Sequence, residues 1–504
     1  MRNLRVWRVI FLGLALASVP ATAVASPGPY TLGPPVNASG TSPFLGCPFG
    51  IDPDAPAPEH VYDNTEVEPF VAVNPTNSLN IIGAYQQDRW TDGGSRGLVA
   101  SRSFDGGATW TQNYPEFSKC ASIGGNGYDS PFPRATDPWV SFDSAGKAYN
   151  ISLGIVSASG IFSGVEVSTS PDGGTTWSVP HRLITDNDPI FFNDKQSITG
   201  DWRPTAGAGK AYATWIRGNL PGWDNISLVG ASNSFAFRGL PMFSKTTDGG
   251  ATWSTPVPMV NANIYAQGNQ IAVLPDGTLI DIMAILFKGS GNQPSNQASW
   301  AVARSTNGGK TWGSPVKIAK LNTALLTNPD IPNPTSLDQT IRADDYLPDV
   351  AVDHATGALY MVFADSIGNG IDHVKLTKST DRGKTWTTPV DVTQTGPGNH
   401  SFNGTVEVAA DGTVAVLYYD FRNNTSAPGV PTDVWLTHSY DGGVTWTEQH
   451  VYGPFDMENA PVARGWFLGD YQGLAAVGND LMLFFSVATA ANDSADVIAI
   501  RAHP

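Results

Sequence analysis

Six copies of one eight-residue pattern, S/T-x-D/N-x-G-x-T-W, are spread along a chain of 504 residues. They run Ser103–Trp110, Ser170–Trp177, Thr246–Trp253, Ser305–Trp312, Ser379–Trp386 and Ser439–Trp446. Successive copies lie roughly 60–75 residues apart, a period that marks a fold assembled from repeated supersecondary units. Each copy, called a box below, sits between two short β-like runs, such as Leu98–Ser101 before the first. That setting makes it a hairpin turn. The Asp or Asn oxygen accepts backbone N–H groups, Gly supplies positive φ, and the Trp opens the return strand as a wedge between neighbouring sheets. Asn307 replaces the Asp in one box and Arg382 the first Gly in another, and neither change removes the turn chemistry. The boxes therefore read as structural turns and not as catalytic or metal-binding acids.

Around each box a longer unit repeats: an alternating apolar strand, a tight turn, a second strand, then the box hairpin. The first has Pro69–Val73, a turn at Asn74–Asn77 and Ile81–Tyr85; the sixth has Thr405–Val408 and a turn at Ala410–Gly412. A seventh unit without a box follows the last one, with strands at Tyr471–Ala476, Leu481–Phe485 and Val497–Ile500. Its missing outer strand can come from the N-terminal segment. The fold expected is all-β, a β-propeller with seven blades favoured over six; six results if the last unit completes a split first blade. The domain plan is a signal peptide at 1–25, an extended and ring-closing arm at 26–64, and the propeller at 65–504.

The signal peptide rests on Arg2, Arg5 and Arg8, the apolar run Val9–Ala17, and Ala23-Val24-Ala25 as a cleavage site. It predicts a secreted, extracytoplasmic protein. The net charge of −16 argues against nucleic acid and against anionic membrane surfaces as partners. Cys47 and Cys120 are the only cysteines. In an oxidising compartment they form one disulfide tying the N-terminal segment to the first blade; the alternative is two free thiols. No Cys/His spacing suggests a metal, and no cofactor motif is present. A closed propeller leaves no sheet edge for a partner to complete, so a monomer is expected.

The boxes also orient the molecule. Tight turns and boxes share one face, so the starts of first strands and the ends of second strands share the other. Those positions are polar in every unit. The strand starts carry Glu68, Asp137, Asp194 with Lys195, Asn269 with Gln270, Asp349, Asn403, and Asp470 with Tyr471. The second-strand ends carry Asp88, Arg89 and Trp90, Trp215 with Arg217, Asp365, and Asp420 with Arg422; Arg342 lies in a nearby loop. Acids move protons, arginine binds a carboxylate through two N–H groups, and Trp or Tyr stacks on a sugar ring. The structural alternatives are turn capping by the acids, an Asp420–Arg422 ion pair, and Trp90 as packing between blades.

The box and its repetition resemble the Asp-box of the sialidase-like, BNR-repeat β-propellers of secreted bacterial glycosidases. The resemblance covers almost the whole chain after the signal. It implies a glycoside hydrolase acting on a glycan, in which three arginines hold a sugar carboxylate, a Tyr activated by a Glu is the nucleophile and an Asp is the acid/base. The family's Arg-Ile-Pro signature is absent, the corresponding strand reading Glu68-Pro-Phe-Val, so roles are assigned by place in the fold. Tyr471 is then the nucleophile and Asp137 or Asp88 the acid. Arg89, Arg342 and Arg422 form the clamp, and Glu68, Asp349, Asp420, Asp470 and Trp90 line the substrate site. Two alternatives stay open. One is a polysaccharide lyase using Tyr, His373 or His400 as base. The other is a non-catalytic glycan- or protein-binding propeller, with Ca²⁺ held by the acids at the mouth.

Overall fold

A computed structural model describes residues 28–51, 59–123, 125, 127–156, 163–188, 190–219, 238–260, 264–288, 298–324, 326–331, 335–336, 339–343, 346–366, 368, 370–489 and 494–504. The expected signal at 1–25 lies outside them. The chain is nearly all β, and among the described residues no helix is long and apolar enough to cross a membrane.

The antiparallel pairings fall into seven successive units. Unit 1 comprises Val61–Val73, Ile81–Trp90 and Ser95–Ser103, with Thr111 bridged to Arg102. Units 2, 3 and 4 begin at Arg134–Phe142, Phe191–Gly200 and Ile264–Val273; units 5 and 6 begin at Asp349–Val352 and Ser401–Val408. Each adds a second and third strand and a shorter or longer outer one. Unit 7 comprises Gly473–Val477, Asp480–Thr489 and Ser494–His503. Its outer edge is filled by the N-terminal segment, with Thr31 and Leu32 opposite His503 and Ala502, and Val36 and Asn37 opposite Ala499 and Ile498.

The first strand of each unit runs beside the first strand of the next, and that of unit 7 beside that of unit 1. Together these seven strands line one central cavity of about 470 Å³. The succession is held by the boxes. In the first, Ser103 Oγ donates to Asp105 (2.7 Å) and accepts from the Gly107 N–H (2.9 Å), while Asp105 accepts from both the N–H and the hydroxyl of Thr109 (2.9 and 2.6 Å). The same pattern recurs at Asp172, Asp248, Asp381 and Asp441, and Asn307 reproduces it with an amide. Each box Trp then packs on the preceding unit: Trp312 on Phe243, Trp253 on Tyr149, and Trp110 of unit 1 on Phe484 of unit 7. Gly83 permits that last approach, since a Cβ there would lie 2.1 Å from the Phe484 ring. Cys47 and Cys120 are bonded, joining the N-terminal segment to the turn Lys119–Ser122 after the first box.

Candidate active site at the mouth of the ring

Aligning the seven first strands by their inward positions puts Glu68, Asp137, Lys195, Gly268, Leu347, Asn403 and Tyr471 in register, each two residues before the regular strand pairing resumes. Five of these strands carry a bulge at this point, and its central residue is left-handed: φ is +55° at Glu68 and Asp137, +45° at Lys195, +67° at Gly268 and +49° at Asn403. A bulge of this kind turns the chain for one step and re-aims a side chain out of the pleat. Four of the five are not glycine, and each holds backbone strain of about 1–3 kcal/mol. The three charged members and the tyrosine fall on one arc, in the neighbouring units 1, 2, 3 and 7. The far side of the mouth carries Gly268, Leu347 and Asn403.

On the charged arc the groups are tied through the second strand of unit 1. Gln86 donates from Nε2 to Glu68 and, at 2.9 Å, to the Thr136 hydroxyl, which in turn donates to Asp137 (2.9 Å). Gln86 accepts from Arg89 at 2.6 Å. Tyr471 packs on Trp139, 5.2 Å between centroids, and donates its hydroxyl to the Pro138 carbonyl at 3.0 Å. Asp137 is half-buried and has no cationic partner among the described residues. Burial drives the Glu68 carboxyl well above its ordinary range, helped by Asp137 and Asp470 and opposed by Arg89 and Lys195. Asp194, buried beside Asp137, is pushed up to about 6. The Tyr471 phenol is raised by burial and then by the charge of Glu68.

Above these acids lies a cationic cluster. The segments before units 5 and 7 are stitched by a short parallel pairing, Ile341 with Trp466 and Arg342 with Phe467. The Phe467 ring carries Arg342 at 4.2 Å and Arg89 at 4.9 Å. Arg342 donates to Asp470 at 2.7 Å. Arg464, in a left-handed turn (φ +64°) at the surface, completes the group. Two of the three guanidinium groups are depressed by their neighbours. Arg89 falls to about 10 through burial and then Arg342, and Arg464 is lowered first by Arg342. Such depression is the mark of cations held close together at one place.

Of the residues expected from the sequence, Glu68, Asp137, Arg89, Arg342, Asp470 and Tyr471 meet here. Asp349 lies at the side of the mouth, where it accepts from the Thr405 hydroxyl (2.6 Å) and the Val406 N–H (2.8 Å). Asp88 does not join them. It is buried at the outer end of unit 1, accepting from Ser42 (2.7 Å) and the Asn64 N–H (2.9 Å) and pairing with Arg96, so it fastens the N-terminal segment. Trp90 packs there too, under the Arg134 guanidinium at 4.6 Å. Arg422 and Asp420 pair with each other, as the structural alternative had it. Arg422 also binds Glu448 and lies 3.7 Å over the Trp435 ring, which fixes both residues in the flank of unit 6. The two histidines weighed as lyase bases are internal fasteners. His400 is bound to Thr327 and the Asp372 N–H and driven down to about 4 by burial, and His373 is bound to Asp391 and the Asn399 carbonyl. No three His, Cys, Asp or Glu side chains are grouped as a metal site among the described residues.

Arg464 was not among the expected residues. Its place depends on the pairing of 341–342 with 466–467, which no local pattern announces. Lys195 was in view but not selected; the register Glu68-Pro-Phe, Asp137-Pro-Trp, Lys195-Gln-Ser is the signal that puts it, and not Asp194, at the inward position.

No family model matches the chain, and no curated protein does. Solved structures that are similar include a Hadza microbial sialidase, 15% identical, with a TM-score of 0.46 over 84% of this chain and 74% of that one. An α-L-arabinofuranosidase from Fusarium graminearum is 14% identical, with a TM-score of 0.44 over 71% and 89%. The intramolecular trans-sialidase from Ruminococcus gnavus is 15% identical, with a TM-score of 0.41 over 87% and 94%. Likenesses this distant do not assign an activity to this chain.

Proposed function

We propose that this chain is an exported, monomeric, seven-bladed β-propeller glycoside hydrolase that acts on a glycan bearing a carboxylate. The observation that carries the reading is the pairing of two unlike clusters at one mouth. Arg89, Arg342 and Arg464 repel one another, which an anion would relieve. Beside them a tyrosine and three carboxyl groups are held at strained bulges or next to them. The arginines hold the sugar carboxylate and fix the ring over Tyr471. The Tyr471 oxygen attacks the anomeric carbon while its proton passes to Glu68 in its ionised form, a strong base for the same burial that makes that form scarce. The bond to the leaving oxygen breaks as the Asp137–Asp194 pair delivers a proton to it. Water then enters on the same side, gives a proton back to that pair and displaces Tyr471, which recovers its own from Glu68.

Purified protein incubated with fluorogenic glycosides, including a sialoside and uronides, tests the reading. Release should occur from a carboxylated sugar, should vanish in Tyr471→Phe, and should fall on the acid side, where Glu68, already raised by burial, is fully protonated. Silence across the panel and on polysaccharides would replace the hydrolase with a glycan-binding propeller.

A further inference from the structure

Lys195 places an ammonium where a fold rarely leaves one. The residue is 6% exposed, its backbone is left-handed, and Nζ is buried without a hydrogen-bond acceptor among the described residues. What it has is aromatic surface. Nζ lies 3.6 Å from the centroid of the Tyr471 ring and 4.8 Å from that of Trp139. Burying an ammonium without an acceptor is costly, so the strained bulge that holds it here calls for a compensating role. A phenol ring gains electron density on its face when the hydroxyl ionises, so a cation on that face binds phenolate more strongly than phenol.

We infer that Lys195 is a positioning residue for Tyr471: its ammonium, seated on the ring face, stabilises the phenolate form. The surroundings make this contribution necessary. Glu68, Asp137 and Asp470 all oppose a negative charge on Tyr471, Asp194 adjoins them, and the Pro138 carbonyl holds the hydroxyl proton. Arg89 is the other cation that favours ionisation. The inference deepens the hydrolase reading, and only its kinetic arm rests on that reading.

The test labels the protein with 3-fluorotyrosine and follows ionisation by fluorine NMR, assigning Tyr471 by the resonance lost in Tyr471→Phe. Tyr85 and Tyr419, fully buried and without a cation on the ring, serve as internal references whose transitions should stay in place when Lys195 is replaced. Lys195→Met should move the Tyr471 transition up by about one pH unit or more, and Lys195→Arg should restore most of it. On a cleaved glycoside, Lys195→Met should lower kcat about tenfold at neutral pH, shift the pH profile the same way and leave KM nearly unchanged. An unchanged Tyr471 titration in a folded Lys195→Met protein overturns the inference. So does a shift of equal size at Tyr85 and Tyr419, which would report a general loosening of the fold and not the loss of a cation on one ring, or a Lys195→Arg protein that restores none of it. A shifted titration with no hydrolysis of any glycoside would keep the inference and remove the hydrolase. Hydrolysis with an unshifted titration would do the reverse.

Discussion

Arg89 and Arg422 occupy corresponding positions, each four residues after the tyrosine of its second strand, yet their surroundings give them different work. Arg422 is spent on its own neighbours, Asp420, Glu448 and the Trp435 face. Arg89 has one hydrogen bond, to Gln86, a buried Nε without a partner among the described residues, and Arg342 beside it. Arg422→Ala should therefore destabilise the fold by about 3–5 kcal/mol, because it strands the buried Asp420 charge, and leave KM alone. Arg89→Ala should raise KM for a carboxylated sugar at least tenfold with little change in melting temperature. Denaturant melts and initial rates on both variants separate the two roles. Tyr471→Phe belongs with Arg89: it removes a single hydrogen bond, a matter of about 0.5–1.5 kcal/mol, while turnover should be lost.

The box is the element whose chemistry is most fully written in local sequence. Every bond of the turn joins residues no more than four apart, so Ser, Asp, Gly and Thr at fixed spacing suffice to specify it. The partner of each box Trp is a different matter, since it lies in another unit. So is the mouth. Five of its residues are legible from strand starts and ends and Arg342 from a nearby loop, whereas Asp88 is not, because its side chain faces the N-terminal segment, whose path has no periodicity to read. Arg464 was missed because 341–342 and 466–467 meet across more than a hundred residues. The packing between units gives its own test. Gly83→Ala should cost about 1–3 kcal/mol by driving a methyl into the Phe484 ring, visible as a lower melting temperature with the site chemistry intact.

At the scale of the whole molecule, buried acids and exposed turns pull stability in opposite directions with pH. Burial raises Asp194 to about 6 and Glu166 and Glu407 to about 7. The stability they lend is present below the ordinary carboxylate range and is lost as pH rises through 6 to 7. Hydrogen bonds from Thr109, Thr252 and Thr385 hold Asp105, Asp248 and Asp381 down at about 2, so their contribution is lost as pH falls from the ordinary value to 2. His354 and His400, lowered to about 4 by burial, favour the neutral side, but the raised acids outnumber them. Thermal melts should therefore peak between about pH 4 and 5 and decline on both sides. A second experiment at this scale removes residues up to Asn37, which should expose the edge of Ser494–His503 and shift the protein to larger species on size exclusion. That same edge sets the order in which the protein can be made. Units can settle against their predecessors as the chain is synthesised, but the segment that completes unit 7 emerges long before its partner. Until residues 502 and 503 are available, Leu32 and Thr31 have nothing to pair with, and until 484 is, Trp110 has no Phe484 to rest on. Completion of this fold waits on the pairing of 31–37 with 498–503, slow for its long range, and any factor that meets the polypeptide earlier meets an open arc with two bare margins.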